Sequence, residues 1–93
     1  MMTAMLSEHS LVVLTGDIPD SGLYAGDVGA IVHVYGQGTA YEVEFVDGDG
    51  TTIALITLKS EAVRPVGRGE LLHTRRRNLA EQNPEPKLPI TGF

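Results

Sequence analysis

The chain has no cysteine among its 93 residues. That excludes a disulfide framework, a thiol nucleophile and a thiolate metal site, and it agrees with a reducing compartment. Basic residues are scarce where most of the chain lies: no lysine or arginine precedes Lys59. No segment approaches the ~18 consecutive apolar residues of a membrane span. The opening "MMTAMLSEHSLVVLTGD" lacks a basic region followed by a long apolar stretch, so it reads poorly as a secretory signal. A cytoplasmic protein is the expectation.

The charge that is present is unevenly placed. Residues 1–63 carry nine acids against Lys59 alone, a net −8. Residues 64–93 carry Arg64, Arg68, Arg75, Arg76, Arg77 and Lys87 against three acids, a net +3, which leaves −5 for the whole chain. An acidic body followed by a basic tail bears on what the protein binds.

Between Gly22 and Leu58 the chain holds most of its glycines and most of its β-branched residues. "LVVLTGD" (11–17) is a short apolar run closed by glycine and predicts a first strand. "DIPDSGLYAGD" is loop chemistry, with Pro19, Gly22 and Gly26 among aspartates and serine. "VGAIVHVY" (28–35) predicts a second strand, with Gly29 at a bulge or close backbone approach. "GQG" is a tight connection. In "AYEVEFV" (40–46), Tyr41, Val43 and Phe45 alternate with Glu42 and Glu44, a strand with one dry and one wet face. "DGDG" (47–50) predicts a hairpin turn, because Asp-Gly supplies the positive φ such turns need. "TTIALITL" (51–58) predicts a fourth strand with almost no polar face. Ile53 and Leu55 are expected to fill the interior, leaving Ala54, Ile56 and Leu58 on the other side. "EAVRPV" (61–66) predicts a fifth strand, confined by Pro65 to an edge or an end.

Five short strands with few residues per turn make a meander that curls on itself. The expected fold is all-β: a small SH3-like five-stranded barrel over residues 6–66, followed over 67–93 by a basic, proline-rich tail, partly helical or extended. "RGELLHTRRRNLAEQ" (68–82) can form an amphipathic turn or two with Leu71, Leu72 and Leu79 on one side. "NPEPKLPITGF" (83–93) reads as extended.

The ordered pieces "LVVLTGDIPDSGLYAGDVGAIVHVY", "AYEVEFVDGDGTTIALITL" and "EAVRPV" resemble the bacterial family known as domain of unknown function 4926. Asp17, Pro19, Gly22, Leu23, Gly26, Gly29, Val43, Glu44, Phe45, Gly50 and Leu58 carry the resemblance, which covers about Leu6 to Val66. It implies a single small β domain with no established activity. Some members look as if they sit beside toxin-like genes, which implies an antitoxin or immunity role. No catalytic or binding residue comes with the family. "GDVGAIVHVYGQGTAYEVEF" is also loosely similar to the KOW strand-turn-strand, whose basic residues contact RNA. Here the exposed neighbours of the turn are Glu42 and Glu44, of the wrong sign.

No chemistry of catalysis is evident. His9, His33 and His73 fall on separate segments, and Asp47 with Asp49 lacks the further oxygen ligands of a calcium loop. No enzyme, cofactor or metal is expected. The residues expected to meet a partner are in the tail: Arg75, Arg76 and Arg77 by charge, and Leu71, Leu72 and Leu79 by apolar contact. Three readings follow. The first is a non-enzymatic protein-interaction module, of which an antitoxin or immunity-type partner of a toxin-like protein is one form. The second is a nucleic-acid-binding small barrel that uses the arginines. The third is a homo-oligomeric module. The arginines can also fold back onto the acidic body.

Overall fold

The structure, a computed structural model, describes residues 6–77. The expected Leu79 contact and residues 78–93 lie outside the described residues. Five strands form: β1 (Leu11–Leu14), β2 (Val28–Tyr35), β3 (Ala40–Val46), β4 (Thr52–Lys59) and β5 (Val63–Pro65). Short 3-10 turns at Pro19–Ser21 and Ser60–Ala62 lead from β1 toward β2 and from β4 into β5. All pairings are antiparallel, in the order β4-β3-β2-β1-β5. Among the described residues no pairing joins β4 to β5, so the single sheet is open and not hydrogen-bonded into a closed barrel.

The sheet is curved by two β-bulges, each adding one unpaired residue and extra twist. Ile31 pairs with Val43 and His33 with Glu42, which leaves Val32 as the extra residue on β2. Phe45 pairs with Ala54 and Val46 with Thr52, which leaves Ile53 as the extra residue on β4. Curvature brings the inner face of every strand into one core. Val12 and Leu14 of β1, Ile31 of β2, Tyr41, Val43 and Phe45 of β3, and Val63 of β5 are buried there, with Leu23 from the loop. Each fully buried apolar side chain of this size contributes about 1.5–3 kcal/mol.

β4 corrects the facing expected for it. Ala54, Ile56 and Leu58 pair with the buried Phe45, Val43 and Tyr41 and pack on the core, while Leu55 is 55% exposed. The reason is register: directly paired residues share a face, and the alternation of β3 decides which face of β4 is dry. Ile53 reaches the core as well, because the bulge takes it out of the alternation. Gly29, expected at a bulge or a close backbone approach, is instead approached closely by side chains, and the β2 bulge falls at Val32. A Cβ there would lie 2.7 Å from Val43 Cγ1 and 2.8 Å from Phe45 Cε2.

Beyond β5 the chain makes one turn and then runs without regular structure over 71–77. No helical turn forms in the described part of the tail. The turn is held by Glu70, whose carboxylate accepts two hydrogen bonds from Arg64, at 2.8 and 2.9 Å, and one from the Gly67 amide. Arg64 and the Gly67 amide together lower the Glu70 carboxyl to about 2.

Candidate functional site

The site grows out of the loop between β1 and β2. Asp17 Oδ1 accepts the Ala25 amide at 2.8 Å and closes the loop on itself. Pro19 opens the 3-10 turn, and Gly22, at φ 72, ends it by donating its amide to the Pro19 carbonyl. Such a left-handed cap is open to glycine at little cost. Ile18 and Leu23 form an isolated bridge, and Leu23 is driven into the core. Gly26, at φ 97, turns the chain so that its amide reaches the Leu14 carbonyl. These steps deliver Asp27, a charged residue only 9% exposed, to the mouth of β2.

A buried carboxylate needs partners to stay charged. Tyr24 N–H donates to Asp27 Oδ2 at 2.8 Å. The remaining donors come from the tail. Arg75 Nε donates to Oδ1 at 2.8 Å and Nη2 to Oδ2 at 2.7 Å, a two-pronged fork. Nη2 also donates to the Gly22 carbonyl at 2.7 Å, and Arg75 Cζ lies 4.9 Å from the centre of the Tyr24 ring. His73 Nε2 stands 3.7 Å from Asp27 Oδ1. The hydrogen bonds from Arg75 hold the Asp27 carboxyl below its ordinary range, against the opposing effect of burial; the Tyr24 amide and the charges of Arg75 and His73 add to the lowering. The same contact raises Arg75.

Arg75 thereby straps residues 72–75 across the end of the sheet. Beneath and beside the strap lies an open groove of about 480 Å³, walled by Leu23, Val28, Phe45, Val46 and Ile53 on one side and by Leu72 to Arg75 on the other. Asp47 and Arg77 line it as well. Asp47 belongs to the β3–β4 turn, where its Oδ1 accepts the amides of Asp49 and Thr51, each at 3.1 Å.

The residues expected to meet a partner therefore separate. Arg75 is turned inward and engaged by the loop. Arg77 lines the groove, and Arg76 makes its own contact. Leu71 is 92% exposed, and Leu72, 56% exposed, lines the groove together with Ile53 of β4. Sequence reading passed over Asp27, Gly22 and Tyr24 as a group. The signal available was an aspartate directly before a β-branched strand, in a loop whose glycines force it inward.

These features define an all-β domain of five antiparallel strands whose β1–β2 loop forms a socket for Arg75 of the segment that follows β5. Residues 8–65 match the family described as Domain of unknown function (DUF4926), and the chain belongs to that family. No curated protein and no solved structure matches the chain. The matched span contains every residue of the socket and ends before Arg75.

Proposed function

We propose that this chain is a non-enzymatic protein-interaction module: a cytoplasmic, bacterial, SH3-like small barrel that presents its tail to a partner. Support for the barrel comes from the two bulges and from the single core in which Val63 of β5 and the inner residues of β4 meet. The observation that carries the interaction is the strap. Arg75 pins the tail to the domain while Leu71 and Leu72 stand out to solvent beside an apolar groove. Large apolar side chains held exposed on an anchored segment mark an association surface. Anchoring also lowers the ordering entropy that binding would otherwise cost. The family resemblance supports a toxin-like partner, with the chain as antitoxin or immunity protein.

The test is recovery of partners by the tagged full-length protein from its host, with nuclease treatment and moderate salt. One stoichiometric protein is expected, lost when Leu71→Asp and Leu72→Asp are introduced together in a chain that still folds. Recovery of nucleic acid alone would replace this reading with the nucleic-acid one. Retention of the partner by the double variant would remove the leucines from the interface.

A further inference from the structure

We infer that the Asp27–Gly22–Tyr24 socket is an arginine-reading site, and that Arg75 is its built-in occupant, displaced by an arginine presented by a partner protein. The socket is matched to a guanidinium and to little else. A carboxylate takes the fork, a backbone carbonyl takes a further N–H, and an aromatic ring lies against the planar cation. A lysine ammonium is a point donor that cannot make the planar two-pronged contact.

The site is built without the arginine. Tyr24 N–H orients Asp27, Asp17 closes the loop through Ala25, and the backbone bonds Gly26 to Leu14 and Leu14 to Asp27 fix the mouth of β2. None of these contacts uses the tail. The socket lies within the family-matched residues 8–65, while its occupant comes from ten positions past their end. The groove continues from the socket past Val28, Phe45 and Ile53, which leaves room for the residues flanking an incoming arginine. The acidic body, net −8 over residues 1–63, attracts such a segment.

Arg75 is tethered, so it competes at high local concentration. An external arginine sees only the fraction of molecules in which the strap is released, and its apparent affinity falls by that fraction. The assignment of the incoming arginine to a partner protein rests on the interaction reading above; the guanidinium selectivity does not.

The test uses the full chain carrying Arg75→Ala, with Nα-acetyl-arginine amide as the probe and its lysine counterpart as control, followed by amide NMR shifts. Saturable shifts at Tyr24, Ala25 and Asp27 are expected with the arginine probe. The lysine probe should bind at least tenfold more weakly, and the unsubstituted chain should bind the arginine probe at least tenfold more weakly than the variant. Adding Asp27→Asn to the variant should abolish binding. Arg75→Gln serves if the alanine variant does not fold. Equal binding of both probes, no binding by either Arg75 variant, or equal binding by the unsubstituted chain would overturn the inference. Failure to recover any leucine-dependent partner, with arginine binding intact, would instead overturn only the interaction reading.

Discussion

Arg75 grips Asp27 from 48 positions away, with both nitrogens of one edge of its guanidinium within 2.8 Å of the two carboxylate oxygens. Asp27 is the single buried charged residue among those described. Its charge is affordable at that place because three hydrogen bonds converge on it, one from the Tyr24 amide and two from the Arg75 fork. A partly buried ion pair gives modest net stability, since desolvation offsets much of the attraction. Its larger effect is positional: the described segment 71–77, which has no helix or strand, acquires a fixed point on the domain.

Arg75→Ala is expected to destabilise the domain by about 1–2 kcal/mol, the range for a charge-assisted hydrogen-bond pair that water partly reaches. Arg75→Lys should recover little of it, because the fork and the contact to the Gly22 carbonyl are both lost. Urea denaturation gives the stability, and amide exchange over residues 71–77 gives the strap. Unchanged exchange in Arg75→Ala would mean that the arginine does not hold the strap.

The same contact sets a pH dependence. The folded Asp27 carboxyl lies below its ordinary value of 3.8. A carboxyl depressed on folding contributes stability that is fully present above its unfolded value and is lost as pH falls through its folded value. The strap should therefore hold unchanged down to about pH 4 and release below it. Carboxyl-carbon NMR of Asp27, followed with the Arg75 Nε–H signal, should show both changing together below the ordinary carboxylate range. An Asp27 titration at its ordinary value would contradict the contact.

Gly29 answers a different question, how close β2 and the inner side chains of β3 approach. The Cβ of Gly29→Ala would meet Val43 and Phe45 at 2.7–2.9 Å, a distance such atoms do not adopt. Neither neighbour is a flexible chain end, since both are fully buried core residues. Overpacking of this kind typically costs about 1–3 kcal/mol. Thermal denaturation of Gly29→Ala beside Gly48→Ala checks it, because Gly48 has open space around it and should melt within a few degrees of the unsubstituted chain.

How much of this was legible in the sequence depends on whether neighbours along the chain or across the fold decide the outcome. β2 and β3 fall at the residues their composition marks, 28–35 and 40–46, because local alternation and flanking glycines set both. The "DGDG" turn forms where it is expected, with Gly50 at φ 86. The fifth strand is shorter than expected, Val63–Pro65, since Pro65 has no amide to extend a ladder and Glu61 is taken into a 3-10 turn. The socket was not legible. Asp27 and Arg75 have no periodic or motif relation in the chain; only the return of the tail past the β1–β2 loop brings them together. The basic residues of the tail were visible as charge, but which one turns inward is decided by the geometry of the loop.

The facing of β4 gives the sharpest test of the fold. Its five apolar residues look alike in sequence, and only pairing with β3 separates them. Ile56 pairs with the fully buried Val43, whereas Leu55 pairs with Glu44 on the wet face. Leu55→Lys should therefore change stability by no more than about 0.5 kcal/mol, as surface substitutions do. Ile56→Lys puts an ammonium on the half-buried inner face beside Val43, removes apolar contact with the core, and should cost about 1–3 kcal/mol. Far-UV circular dichroism and urea denaturation of the two variants compare adjacent residues of one strand. Equal loss in both would mean that β4 is dry on both faces and that something beyond the described residues covers Leu55. A stable Ile56→Lys beside an unfolded Leu55→Lys would reverse the register by one residue and exchange the inner and outer faces of the strand.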